Sequence, residues 1–120
     1  MAFKFESLAV WQRSRDLNVE INELAKQFPN YEQFNLCHQI RKAADSINLN
    51  IAEGCTGQSG SEFSRFLGYS LRSCVEVISC LFLAKRKQYI SEERFSYFYN
   101  QLEILVKMIT KLRNSLQEPS

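Results

Sequence analysis

The sequence predicts an all-α fold, an antiparallel up-down-up-down four-helix bundle, on three observations. Apolar residues recur at steps of three and four through four long segments, the spacing of helix faces that pack on other helices. No segment alternates apolar and polar residues as a half-buried strand would. The breaks between segments are short, and short connections favour antiparallel neighbours.

The first helix is expected from about Leu8 to Phe28. Val10, Leu17, Ile21, Leu24 and Phe28 share one face, and Pro29 stops the next turn because its ring blocks continuation. The second runs from about Tyr31 or Glu32 to Glu53. Its stripe is Leu36, Ile40, Ala43, Ile47 and Ile51, and Gly54 follows where a left-handed C-terminal cap is wanted. Asn48 and Asn50 lie inside this helix, where a plain core helix has no need of them. Cys55 to Gly60 reads as a polar loop.

Ser59-Gly-Ser-Glu62 has the pattern of a capping box and opens a third helix that continues to about Lys87. Phe63, Leu67, Ser70, Cys74, Val77, Leu81 and Ala84 line its stripe. Ser91, followed by Glu92 and Glu93, starts the fourth helix. Its Phe95, Phe98, Leu102, Leu105, Ile109, Leu112 and Leu116 alternate steps of three and four, the seam of a left-handed bundle.

Size and composition agree with one domain spanning residues 1–120. A chain of 120 residues buries roughly two-thirds of its unfolded surface on folding. Hydrophobic content of 45% and charged content of 23% suit a globule rather than a disordered tail. The opening Met-Ala-Phe-Lys-Phe-Glu lacks a secretory signal's apolar run. The longest uncharged apolar run, Val77 to Ala84, is far short of the ~20 residues that span a bilayer. The expected location is cytoplasmic, with no membrane partner.

Chemistry finds little foothold. Cys37, Cys55, Cys74 and Cys80 form no CxxC pair, and with no export signal they are read as reduced. Cys37 adjoins His38, the single histidine, but helix neighbours point about 100° apart and one histidine gives neither a zinc set nor a triad. Gly54-Cys-Thr-Gly-Gln-Ser-Gly60 lacks the preceding strand and the Gly-Lys-Ser/Thr ending of a phosphate-binding loop. Glu53 and Glu62 fit a helix end and a capping box better than an acid–base pair. The reading is a protein that is not an enzyme, with no metal and no cofactor.

Function should then lie off the core stripes. Trp11 stands beside the first helix's stripe, with Arg15 one turn on and able to stack on the indole. Leu71, Val75 and Phe82 flank the third stripe; Tyr97, Ile104 and Met108 flank the fourth; Leu49 points away from the core. Wide apolar arcs can simply seal bundle corners, but several large residues outside a core mark an oligomer interface.

The charge balance of +2 is too small to define a nucleic-acid binder, yet it is uneven. The third helix holds five bases against two acids, and Lys85, Arg86 and Lys87 close it. Cations at helix ends are favoured by the macrodipole at about 0.3–1 kcal/mol each, which accounts for part of this. Arg41 with Asp45 and Arg72 with Glu76 have the i,i+4 spacing of surface ion pairs.

Five motifs occur in one order: Leu8-Ala-Val-Trp-Gln12, Phe28-Pro29, Gln39-Ile-Arg-Lys-Ala-Ala44, Ser46-Ile-Asn-Leu-Asn-Ile-Ala-Glu-Gly54 and Glu62-Phe-Ser-Arg-Phe-Leu67. Over nearly the whole chain they resemble the bacterial four-helix-bundle family of 23S rRNA intervening sequences. That family also looks related to the accessory variability determinant of diversity-generating retroelements, a basic homopentamer that works with a reverse transcriptase and RNA. The resemblance implies four helices, a ring-shaped homo-oligomer of pentameric type, and association with RNA or DNA. Arg13 fits the basic position after the Trp-Gln pair. Lys42 replaces the second arginine of an Arg-Arg pair, keeping the charge but losing the bidentate fork. The modest net charge departs from the strongly basic retroelement relatives.

Two functions follow as expectations. A homo-oligomer presents Arg13, Arg41, Lys42, Arg65, Arg72 and Lys85 to Lys87 to nucleic acid, with affinity that falls steeply with salt. Alternatively, the bundle is a scaffold or accessory subunit for a nucleic-acid-processing protein such as a reverse transcriptase.

Overall fold

The computed structural model describes residues 2–117. Four helices carry the fold: α1 (Ala9–Ala25), α2 (Leu36–Cys55), α3 (Gly60–Arg86) and α4 (Glu92–Gln117). Two 3₁₀ turns that the periodicity does not reveal precede α1 and α2, at Lys4–Ser7 and Asn30–Glu32. Bonds between side chains and neighbouring helices fix the topology. Ser14, Asn18 and Asn22 meet Asn48, Asp45 and Arg41. Ile47 and Ser46 meet Ser70 and Ser73, and Lys85 meets Glu92 while Ser64 meets Arg113. Each pairing runs in opposite order along its two helices, so consecutive helices are antiparallel. The bundle measures 49 × 24 × 21 Å.

The expected stripes form the core. Leu36, Ile40, Ala43, Ile47 and Ile51 are all buried, as are Leu67, Cys74, Val77, Leu81 and Ala84 opposite them. Phe98, Leu102, Leu105 and Ile109 complete the centre, and Leu112 and Leu116 pack at its edge. The four cysteines are free and buried. Burial pushes the Cys74 thiol up to about 12 and Cys80 to about 11, because desolvation disfavours the thiolate.

Several boundaries differ from expectation for local reasons. α1 ends at Ala25, not Phe28, because Gln27 and Phe28 donate to the carbonyls of Leu24 and Ala25 three residues back. That tightening turns Phe28 into the core ahead of Pro29. α2 starts at Leu36, not at Tyr31 or Glu32, because Glu32 is held inside the molecule by four donors described below.

Gly54 is not a left-handed cap: no described glycine has a positive φ, and α2 continues through Cys55. A Cβ on Gly54 would lie 2.6 Å from Phe66 Cβ and 3.1 Å from Phe63 Cδ1. The glycine is there for close approach of α3 to α2. The left-handed position is Gln88, at φ 66°, where Tyr89 N–H donates to Ala84 O and Gln88 N–H to Lys85 O. This is a Schellman ending built without glycine.

Ser59 Oγ accepts from the Glu62 amide and Ser91 Oγ from the Arg94 amide, so both serines start their helices as expected. The i,i+4 ion pairs do not form. Arg41 Nε donates to Asn22 Oδ1 and Asp45 accepts from Asn18, and Arg72 and Glu76 are not bridged among the ion pairs of the described residues.

Candidate functional site

The Ser46–Gly54 segment, unusual in sequence, turns inward. Asn48 Nδ2 donates across to Trp11 O at 3.3 Å and Ser14 Oγ at 3.0 Å. Asn50 Nδ2 bonds back to Ser46 O and Oγ at 2.9 Å, and Ser46 Oγ accepts from Ser73 of α3 at 2.9 Å. These polar groups tie α2 to both neighbours and satisfy one another. Leu49, between the two asparagines, stays 62% exposed.

The basic residues expected at a nucleic-acid site do not converge. Arg13 is half-buried against α4, with Nη2 donating to Gln101 Oε1 at 3.1 Å and Nε buried without a partner. Arg41 lies on the α1–α2 seam, and Lys42 is exposed on α2 beside His38, Gln39 and Glu76. Lys85 is spent within the fold: Nζ bonds Glu92 and sits 4.4 Å over the Phe95 ring.

Lys87 is spent too. Its Nζ reaches the buried Glu32 carboxylate at 3.2 Å, where Tyr89 Oη donates at 2.7 Å, Asn35 Nδ2 at 3.0 Å and the Leu36 amide at 3.4 Å. The Tyr89 hydroxyl, Lys87 and the other donors hold the Glu32 carboxyl below its ordinary range, against desolvation. A hydrogen bond with the Tyr31 hydroxyl at 3.0 Å, together with the bond to Glu32, raises Tyr89. Of the closing Lys-Arg-Lys run, Arg86 alone faces solvent without a described bond.

Two of the expected arginines do meet, joined by a third. Arg65, Arg72 and Arg113 line a hollow of about 390 Å³ on the α3–α4 edge with Gly68, Tyr69, Leu71 and Val75. Arg113 Nε donates to Ser64 O at 3.0 Å and Ser64 Oγ at 3.3 Å. A Cβ at position 68 would stand 3.0 Å from Arg113 Nη2, so Gly68 leaves room for the guanidinium on α3. Arg65 stacks 5.3 Å over Phe66, whose ring meets Tyr69 edge-on at 5.4 Å. None of the three arginines enters an ion pair among the described residues.

Arg113 and Tyr69 escape a sequence reading. Arg113 reads as a helix-end cation, and only the α3–α4 register brings it to Ser64. Tyr69, four residues after Arg65 and three before Arg72, carried a readable signal in its helical spacing.

The apolar residues sort onto different faces. Trp11 packs on Phe5, ring centroids 4.9 Å apart, with the Arg15 guanidinium 5.3 Å over the indole, on the side of α1 that faces α2. Val75, 64% exposed, Phe82 and the half-buried Leu71 occupy α3, with Phe82 meeting Phe95 and Tyr99 of α4 edge-on. Tyr97 donates to Glu20 of α1 at 2.6 Å, and Ile104 and the half-buried Met108 follow on the same α4 stripe. By length and composition α3 is apolar enough to cross a membrane, and only 33% of its most apolar window is buried. Its exposed large apolar residues are Tyr69, Val75, Phe82 and Leu83. Among the described residues no three His, Cys, Asp or Glu side chains gather as metal ligands.

Such a chain is an all-α four-helix bundle whose distinctive features are a wired core and apolar and basic outer faces. It belongs to the family described as 23S rRNA-intervening sequence protein, whose pattern it matches over residues 6–111. It is also similar to the crystal structure of a protein of unknown function from the S23 ribosomal protein family of Bacteroides thetaiotaomicron VPI-5482. The TM-score is 0.81 at 27% identity, over 88% of this chain and 95% of that one. No protein of curated function matches.

Proposed function

We propose that the protein is a non-enzymatic homo-oligomer that associates with nucleic acid through the α3–α4 arginine hollow. The observation that carries this is the set of three guanidinium groups from two helices, free of carboxylate partners, beside an exposed tyrosine ring. Guanidinium forks suit phosphate oxygens, and Tyr69 offers a surface on which an unpaired base can stack. The family's association with rRNA insertions points the same way.

The oligomer rests on two unlike apolar faces. The α3 flank (Val75, Phe82) and the α4 flank toward α1 (Tyr97, Ile104) do not resemble each other. Association of one with the other is heterologous, which gives a ring when the rotation between copies closes and a filament when it does not, whereas a self-complementary face would stop at a dimer. A pentamer is the ring this family resemblance implies.

Fluorescence anisotropy with matched single-stranded RNA and DNA tests the nucleic-acid reading. Arg65→Gln with Arg72→Gln removes two phosphate contacts, so the slope of log affinity against log salt should flatten by about 1.4. Unchanged affinity and slope in that double variant refute the site. Lys85 and Lys87 should be left intact, since their substitution breaks bonds inside the fold.

A second reading has its own observation. Phe34 is 89% exposed and Tyr31 76%, both in the α1–α2 connection at the opposite end of the bundle from the arginine hollow. Aromatic side chains so placed suit a protein partner, and a partner retained after nuclease treatment but lost in Phe34→Ser would favour the scaffold.

A further inference from the structure

A second hollow, of about 270 Å³, opens where α1 turns into α2, lined by Asn22, Ala25, Lys26, Phe28, Pro29, Asn30, Gln33, Cys37 and Arg41. Its shape follows from the early end of α1. Phe28 is drawn into the core, Pro29 starts the 3₁₀ turn, and the chain arches over before α2 begins at Leu36. Both walls are pinned. Cys37 Sγ donates to Ala25 O at 3.3 Å, joining α2 to the end of α1, and the Glu32 cluster anchors the arch. The hollow is thus preformed, as small-molecule sites usually are.

Its lining is two-sided. Ala25, Phe28, Pro29 and Cys37 supply an apolar wall, and no carboxylate lines it. Lys26 already pairs with Glu23. Arg41 gives only Nε to a neutral partner, Asn22, and makes no ion pair. Its two terminal nitrogens remain available, and the Asn30 and Gln33 side-chain amides carry no bond within the described residues. A guanidinium fork with two amides beside an apolar wall matches an anionic head on a small apolar body.

We infer that this hollow binds a small carboxylate-bearing molecule, with Arg41 holding the carboxylate and Ala25, Phe28 and Cys37 receiving its apolar part. The site is independent of the arginine hollow at the other end of the bundle. Benzoate is the probe, titrated into the ¹⁵N-labelled full chain by NMR, with benzyl alcohol and inorganic phosphate as controls. Benzoate should saturably shift the Asn30 and Gln33 side-chain amides and Arg41 Nε–H. Arg41→Gln should weaken it at least tenfold. Arg41→Lys, which keeps the charge and loses the fork, should weaken it several-fold with the rest of the spectrum unmoved. Equal binding of benzyl alcohol would reduce the hollow to an apolar dent, and equal binding of phosphate would make it a plain anion contact. Either result overturns the inference, as does a benzoate response confined to Arg65, Arg72 and Arg113.

Discussion

Replacing Gly54 with alanine sets two effects of known sign against each other. Alanine is the better helix former by about 1 kcal/mol in a helix interior, and Gly54 lies within α2. Against this, the new methyl would stand 2.6 Å from Phe66 Cβ and 3.1 Å from Phe63 Cδ1. A Cβ atom cannot swing aside as the end of a long side chain can. The α2 and α3 backbones must therefore separate by about 1 Å to restore ordinary carbon–carbon contact near 3.5–4.0 Å. Overpacking of this kind costs about 1–3 kcal/mol, and the rigidity of the contact places it at the upper end. The net expectation is a loss of about 2 kcal/mol, or roughly 8 °C in melting temperature for a domain of this size. Urea melts followed by circular dichroism at 222 nm measure it, at matched protein concentration because oligomerisation stabilises by mass action. Asparagine distinguishes the cause: a left-handed cap tolerates it, whereas a close helix crossing suffers more from it than from alanine. A Gly54→Ala protein as stable as the parent, or asparagine better tolerated than alanine, would refute the packing argument.

Other outcomes follow from the same geometry. Leu105→Ala, at a fully buried position, should cost about 2–5 kcal/mol by urea titration; a loss under 1 kcal/mol would mean that the α4 seam is not the core. Gln88→Gly relieves a left-handed φ of 66° and should stabilise the chain by about 0.5–1 kcal/mol, with destabilisation counting against the Schellman ending. Glu32 has a lowered carboxyl pKa, so its contribution is present above the unfolded value of about 4.3 and lost as pH falls through the folded one. Tyr89 is shifted upward, so its contribution is present below about 10 and lost as pH rises beyond that. Glu32→Gln should therefore flatten the acid limb of a stability–pH profile and leave the alkaline limb sloping less steeply through Tyr89; an unchanged acid limb would sink this assignment.

How far the sequence could be read depends on the range of each interaction. The stripes of α2 and α4 were legible because a helix face repeats every 3.6 residues and needs no knowledge of the partner. Ser59 and Ser91 were legible because a cap acts within three residues. Gly54 was misread because the same residue type serves a turn or a close crossing, and only Phe63 and Phe66 on the next helix decide which. Glu32 was missed because three of its side-chain partners, Lys87, Tyr89 and Asn35, include two that lie over fifty positions away in the chain. The Lys85 to Lys87 run looked like a surface patch for the same reason: two of its three charges, Lys85 and Lys87, are answered by Glu92 and Glu32. The arginine hollow was half legible, in Arg65 and Arg72, until α4 supplied Arg113.

These ranges bear on what the chain's most specific motif does. Ser46 to Gly54 contributes Ile47 and Ile51 to the core, Asn48 to α1, Ser46 to α3 with Asn50 bracing it from within α2, and Gly54 to a close approach of α3. An apolar four-helix core alone is permissive, since neighbouring helices can slide or exchange partners at small cost. Half-buried asparagines bonded to buried or half-buried serines disfavour other registers, because a shifted helix leaves these donors unsatisfied, at up to about 1–3 kcal/mol for a group fully withdrawn from water. The most distinctive residues of the chain thus define how the helices align, and the aligned helices in turn place Arg65, Arg72 and Arg113 around one hollow. Asn48→Ala with Asn50→Ala should accordingly loosen the arginine face without touching it. Its ¹⁵N spectrum would show broadening of the Arg65 and Arg72 Nε–H signals and a nucleic-acid affinity weakened alongside, while a sharp spectrum with unaltered affinity would separate the motif from the site.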